Sequence, residues 1–256
     1  MRKTLSVVLA VYNEENNLAA CLDSIKYIAD EIVVVDGSSK DKTVDIAKKF
    51  GARVKITTNK PIFHINKQMA IDMATKDWVL QLDADERVTE KLREEIISKI
   101  NQEDNINGYW LPRKNWFLGR FLMKGGQYPD YTLRLYKIGK GRLPQKDVHE
   151  QAEVDGKVSY IKNPLLHYPY KNFNDYIFKW NRYTNLIATQ TKEKIENKNI
   201  VSRIFFGIGL LFTKPLYWFF IAYIRHKGFM DLWPGFVFSL FSSLRFPVSY
   251  IKYLFL

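Results

Sequence analysis

Short, wholly apolar runs alternate with amphipathic stretches through the first hundred residues. Leu5-Ser-Val-Val-Leu-Ala10 is rich in valine and reads as a buried strand. Asn13 offers a cap for a helix opening at Glu14-Glu15, and Leu18, Leu22, Ile25 and Ile28 recur at helical spacing behind it. Glu31-Ile-Val-Val-Val35 is a second apolar strand, ending at Asp36-Gly37. Ser38, Ser39 and Asp41 offer caps for a helix reaching Phe50; Gly51 stops it and Ala52–Ile56 resumes a strand. The pattern continues with a helix over 65–75, a strand Asp77–Leu82, and a helix capped by Thr89 with Leu92, Ile96, Ile97 and Ile100 on one face. Apolar strands alternating with helices predict an α/β fold: a mostly parallel sheet flanked by helices on both faces.

Ligands of such sheets bind beyond the carboxyl ends of the strands. Three polar groups fall there: Tyr12-Asn13-Glu14, Asp36-Gly37-Ser38 and Asp83-Ala84-Asp85. The turn after the first strand reads Ala10-Val-Tyr-Asn-Glu-Glu-Asn16, which has no glycine. A Gly-x-Gly-x-x-Gly dinucleotide turn and a Walker loop are both missing, so phosphate must be neutralised by other means. Two aspartates at i and i+2 in extended chain point the same way, about 6.6–6.8 Å apart. Hard divalent cations favour such oxygens, and Mg²⁺ takes one or two carboxylates and completes its shell with water and substrate phosphates.

Composition refines this picture. The chain has 256 residues and a formal charge of +12, enough length for one large domain with an appendage. Residues 1–100 carry 16 basic and 16 acidic side chains, so the positive excess belongs entirely to residues 101–256. One cysteine, Cys21, excludes an internal disulfide and a cysteine-rich metal site, and reads as a core residue. Met1-Arg-Lys-Thr runs straight into the first strand without a secretory apolar region, which points the catalytic part to the cytoplasm.

The blocks Leu5–Glu15, Glu31-Ile-Val-Val-Val-Asp-Gly-Ser-Ser-Lys-Asp-Lys-Thr43 and Trp78-Val-Leu-Gln-Leu-Asp-Ala-Asp-Glu86 together resemble glycosyltransferase family 2, nucleotide-sugar-dependent inverting enzymes of the GT-A fold. Tyr128–Tyr136, Val148-His-Glu150 and Asn163–Tyr170 are similar to a bacterial branch that includes lipopolysaccharide-core β-1,4-glucosyltransferases. The resemblance implies that Ala10, Tyr12, Asn13 and Glu14 line a uracil and ribose pocket, with Asp36 and Ser38 beside the base or ribose. It places Lys67 near the nucleotide phosphates, Asp83 and Ala84 at the ribose and metal region, and Asp85 as the main ligand of Mg²⁺ or Mn²⁺. It further implies a UDP-sugar donor, a lipid-linked saccharide acceptor such as lipopolysaccharide core, and work at the cytoplasmic face of a bacterial inner membrane. Transfer to a polyprenyl phosphate and a noncatalytic sugar-nucleotide-binding adaptor are the alternatives.

Inverting transfer needs a general base for the acceptor hydroxyl, in this family commonly a carboxylate. Glu103, Asp104, Glu153, Asp155, Glu193 and Glu196 lie among polar residues, and Asp175 suits a helix start, which leaves Asp130, Asp147 and Glu150. Glu150 looks like the family's base position and Asp130 is the runner-up. His149 can orient Glu150 or touch the acceptor or phosphate, and Arg134 can bind phosphate or the acceptor. His64, His167 and His226 show no metal-ligand spacing and are expected to be structural. Asn115–Gly126 is too apolar for an ordinary loop and reads as an acceptor-side loop.

Residues 1–199 are thus expected to form the catalytic domain, as a nucleotide-binding half (1–100) and an acceptor half (101–199). Residues 200–256 hold 17 aromatic residues beside six basic ones and a single acid. Ile204–Phe212 and Leu216–Ile224 are too greasy for nucleic acid and suit an anionic membrane surface. Lys214-Pro215 splits this stretch, so two short helices lying in the interface are expected, with Leu232–Phe241 and Phe246–Leu256 as further short pieces.

Overall fold

In the computed structural model, which describes residues 2–60, 62–144, 151–196 and 198–256, the predicted alternation is present. Strands β1 (Leu5–Val11), β2 (Glu31–Asp36), β3 (Arg53–Ile56) and β4 (Trp78–Leu82) are interleaved with helices α1 (Leu18–Ile25), α2 (Thr43–Lys49) and α3 (Phe63–Asp72). A short β5 (Glu86–Val88) and α4 (Glu90–Ile100) follow. After them come β6 (Ile106–Phe117), β7 (Arg120–Phe121), β8 (Asp130–Lys137), β9 (Gly141–Arg142), β10 (Glu153–Val154), β11 (Lys157–Tyr160), β12 (Leu165–His167) and α5 (Phe173–Ile195).

The chain divides into two compact units. One holds residues 1–113 and 130–167; the other holds 114–129 and 168–256. The boundary expected at residues 199 and 200 falls inside the second of these.

The first unit is a GT-A-like fold built on a mixed sheet in the order β3-β2-β1-β4-β8-β6-β12-β5. It is parallel over β3, β2, β1 and β4, where helices make the crossovers. From β4 through β8 to β6 it is antiparallel. The apolar runs behave as their pattern requires. Val7, Leu9, Leu80 and Leu82 pack against Leu18, Leu22 and Ile25 of α1 and Leu92, Ile96 and Ile100 of α4. Val8, Val33, Val35 and Val79 face the other way, toward Ala70 and Ile71 of α3. Burial on both faces is why these strands lack polar alternation.

Local differences from the sequence pattern have clear causes. α1 starts at Leu18, and Asn13 does not cap it. Asn13 instead adopts a left-handed backbone (φ 54°), a conformation Asn tolerates, and its Oδ1 accepts from the Lys40 amide at 2.8 Å. Ser38 is likewise left-handed (φ 66°) and donates to the Thr57 carbonyl at 2.7 Å rather than capping α2. Thr89 does cap α4, accepting from the Leu92 amide at 3.2 Å.

In the second unit, Ile200–Arg225 forms one unbroken helix, long and apolar enough by length and composition to cross a membrane, with only 11% of its apolar window buried. The expected break at Lys214-Pro215 does not occur. The helix widens to a π-type turn over Gly209–Thr213 just before the proline, and the Lys214 amide bonds the Gly209 carbonyl. Thr213 Oγ1 also donates to that carbonyl at 3.1 Å. A widened turn accommodates the bond that proline cannot make, so the chain continues without a stop. The two later pieces are likewise fused into one helix, Leu232–Tyr253, with Pro234 in its first turn and Pro247 inside it. Asp231, the single acid of the last 57 residues, is buried at the start of this helix. It accepts from the Met123 and Lys124 amides at 2.9 and 2.7 Å and lies 3.4 Å from Arg120.

Candidate functional site

At the carboxyl ends of β1 and β4 a cavity of about 310 Å³ opens in the first unit. Its wall includes Ala10, Tyr12 and Glu14 from the end of β1, and Asp83, Ala84 and Asp85 from the loop after β4. Lys67 and Asn66 reach it from α3, with Phe63 and Asn59 beside them, and His167 closes it from β12. Parallel strands that end side by side, each followed by a loop that turns away to a helix, leave this crevice as a consequence of topology.

Seven of the residues singled out in the sequence therefore meet in one place. Asn13, Asp36 and Ser38 do not line the cavity; they build its rim. Asp36 is buried and accepts from the Ser39 amide and hydroxyl at 2.8 and 2.5 Å. Ser39 Oγ in turn accepts from the Asn13 amide at 2.8 Å. Gly37 carries no side chain where a Cβ would crowd Asn59 at 3.2 Å and Tyr12 at 3.4 Å, so both can close on the cavity.

The two aspartates of Asp83-Ala84-Asp85 are in different electrostatic situations. Asp83 Oδ1 is 2.5 Å from Lys67 Nζ, and its Oδ2 is 2.6 Å from Arg134. Burial alone would push the Asp83 carboxyl up, but Arg134 and Lys67 outweigh it and hold it well below the usual carboxylate range. Burial pushes the Lys67 ammonium down, against the pull of Asp83. Arg134 also bonds Gln81 and lies 3.0 Å from Glu86, which has no solvent exposure and accepts from the Asp83 amide at 2.9 Å. Asp83 is thus the hub of a buried network. Asp85 carries a lighter load: its Oδ2 is 3.4 Å from His167 Nε2, and its side chain is 27% exposed.

A divalent cation was expected here. Among the described residues no group of three or more His, Cys, Asp or Glu is arranged to hold a metal by itself. Asp85 with His167 nevertheless fits a hard or borderline cation: one carboxylate and one imidazole, both partly open to the cavity, with the rest of the shell left to phosphate and water. Asp83 fits less well, since each of its oxygens already faces a cation.

Three residues escaped the sequence reading. His167 is 82 positions from Asp85, and only the pairing of β12 with β5, which sets His167 opposite Glu86, brings them together. Glu86 adjoins the aspartates, but nothing in the sequence shows that it is buried. Gln81 did leave a signal, a lone amide within the apolar strand Trp78–Leu82. Arg134, expected at the acceptor or phosphate, is buried in the Asp83 network. Asp130 accepts from Arg113 Nε and Nη2 at 2.9 and 2.7 Å. Glu150, His149 and Asp147 lie outside the described residues.

Residues 6–154 match the family described as Glycosyl transferase family 2, more than half of the chain. The chain belongs to glycosyltransferase family 2. It is 29% identical to the lipopolysaccharide core biosynthesis glycosyltransferase LpsC of Rhizobium meliloti (strain 1021), covering 94% of this chain and 91% of that protein. It is also 29% identical to a glycosyltransferase of Rickettsia conorii, RC0292, over 96% of this chain and 88% of that one. Among solved structures it is similar to glucosyl-3-phosphoglycerate synthase from Mycobacterium tuberculosis in complex with Mn²⁺ and UDP-glucose, at 24% identity and a TM-score of 0.37. That match spans 45% of this chain and 44% of the synthase, less than half of either.

Proposed function

We propose that the chain transfers a hexose, with inversion, from a UDP-hexose such as UDP-glucose to a lipid-linked saccharide of the lipopolysaccharide-core type. The observation that carries this reading is the cavity at the ends of β1 and β4, walled by Tyr12, Lys67, Asp83 and Asp85, in a member of a glycosyltransferase family. LpsC, by its name a lipopolysaccharide core enzyme, supports the acceptor class.

In this reading Ala10, Tyr12 and Glu14 receive the nucleoside, and Lys67 supplies positive charge toward the diphosphate. Asp85 and His167 hold Mg²⁺ or Mn²⁺, with Asp83 at the ribose side. The bound cation would supply neutralisation of the charge that grows on the leaving diphosphate. The acceptor hydroxyl attacks the anomeric carbon as the bond to the nucleoside diphosphate breaks, and a carboxylate takes its proton. Glu150 is assigned that role. Asp130 is the weaker choice because Arg113 already grips one of its oxygens with two donors. Release of UDP from a panel of UDP-hexoses, with an extracted lipopolysaccharide core as acceptor and Mg²⁺ or Mn²⁺ supplied, tests the assignment. Glu150→Gln should keep UDP binding and lose most transfer. Absence of UDP release with every donor and acceptor would refute the reading.

Membrane docking at the cytoplasmic face of a bacterial inner membrane completes the proposal. Phe205, Phe212, Leu216 and Trp233 are all more than half exposed, and Arg203, Lys214, Arg225 and Lys227 stand among them in sequence. Apolar surface flanked by cations suits an anionic bilayer.

A further inference from the structure

A second cavity in the first unit, about 240 Å³, has Phe63, Lys67 and Asp83 in its wall as the first cavity does. It is therefore the space that a group passing Asp83 from the nucleotide side would enter. The rest of its wall is mostly polar: His64, Gln81, Arg113, Thr132, Arg134 and Gln151.

Charge and hydrogen bonding narrow the class of occupant. Lys67 is paired with Asp83, Arg113 with Asp130, and Arg134 with Asp83 and Glu86. Three cations against three carboxylates leave no surplus charge for an anion, so a phosphate is disfavoured. Two atoms on this wall nevertheless lack hydrogen-bond partners: Thr132 Oγ1 and Arg134 Nε, on side chains only 5% and 7% exposed as residues. Buried polar atoms are almost always satisfied, and leaving one unmade is costly. A neutral ligand with hydroxyls all around it would satisfy them without disturbing the ion pairs.

We propose that this second cavity receives a pyranose ring and that Thr132 is a specificity-determining residue that bonds one of its hydroxyls. The proposal rests on the nucleotide assignment of the first cavity. The ring is either the hexose of the donor or the reacting sugar of the acceptor, and the test separates these sources.

The test is calorimetric titration of the full chain with UDP and with UDP-glucose in the presence of Mn²⁺, for the wild type, Thr132→Val and Thr132→Ser. Thr132→Val should bind UDP as the wild type does and lose about 5- to 10-fold in affinity for UDP-glucose, as expected for one hydrogen bond. Thr132→Ser should restore it. If UDP-glucose affinity is unchanged while the KM for an extracted lipopolysaccharide-core acceptor rises by a similar factor, the ring belongs to the acceptor. The ligand-free Thr132→Val protein should melt at or above the wild-type temperature, because it loses an unsatisfied buried hydroxyl. A lower melting temperature, or no change in either affinity or KM, would overturn the proposal. Failure of the wild type to bind UDP would instead bring down the nucleotide assignment, and this inference with it.

Discussion

The two aspartates of Asp83-Ala84-Asp85 should respond oppositely to the loss of charge. Asp83→Asn leaves Lys67 and Arg134 facing each other with Glu86 as their remaining carboxylate neighbour. Breaking a buried ion pair from one side costs about 3–5 kcal/mol. With a quarter of the Asp83 side chain exposed, the lower end, about 3 kcal/mol, applies. For a unit of this size that is a fall in Tm of about 6–12 °C. Asp85→Asn gives up one 3.4 Å contact with His167 between partly exposed groups, worth under about 1 kcal/mol, or under about 4 °C. Function should follow the reverse order. Asp85→Asn should abolish the gain in Tm that Mn²⁺ and UDP together confer on the wild type, since a ligand stabilises only what it binds. Thermal unfolding by circular dichroism, with and without Mn²⁺ and UDP, reads both effects. Equal destabilisation by the two substitutions would refute the reasoning, as would a Mn²⁺-dependent shift that survives Asp85→Asn.

Other outcomes follow from single contacts. Asp231→Ala should destabilise the second unit by about 2–4 kcal/mol, because it strands the Met123 and Lys124 amides and the Arg120 guanidinium; urea titration followed by tryptophan fluorescence checks this. Asp77 accepts from the amide and hydroxyl of Thr4 at 2.8 and 2.9 Å, and these bonds hold its carboxyl below the usual value. A depressed folded pKa adds stability that is fully present above the unfolded value of about 3.9 and is lost as pH falls through the folded one. Urea midpoints measured from pH 6 to pH 3 should therefore fall less steeply for Asp77→Asn than for the wild type. Phe205→Glu with Phe212→Glu alters side chains that are 70% and 61% exposed, so the double variant should fold normally yet float less with anionic liposomes; undiminished flotation would discard this face as the docking surface.

Much of the fold was readable because its strands are buried on both faces. Val7, Val8, Leu9, Val33, Val34 and Val35 have no exposed side to write as polar, and the helices between them carry the 3.6-residue period. The crevice was readable too, since ligands of such sheets sit where the strands end, and Tyr12, Asp83 and Asp85 stand at those ends. Composition also marked residues 200–256 as a greasy, basic surface. What the chain could not reveal by itself was pairing over long separations. Local pattern says nothing of register between distant strands, so the approach of His167 to Asp85 waited on the β12–β5 ladder. Nor does it say which polar side chains a packed interior encloses. Tertiary structure alone made Arg134, Glu86 and Gln81 the buried support of Asp83. Likewise, only the folded backbone could carry a helix through Pro215, because a widened turn is an adjustment of hydrogen-bond register that residue preferences do not record.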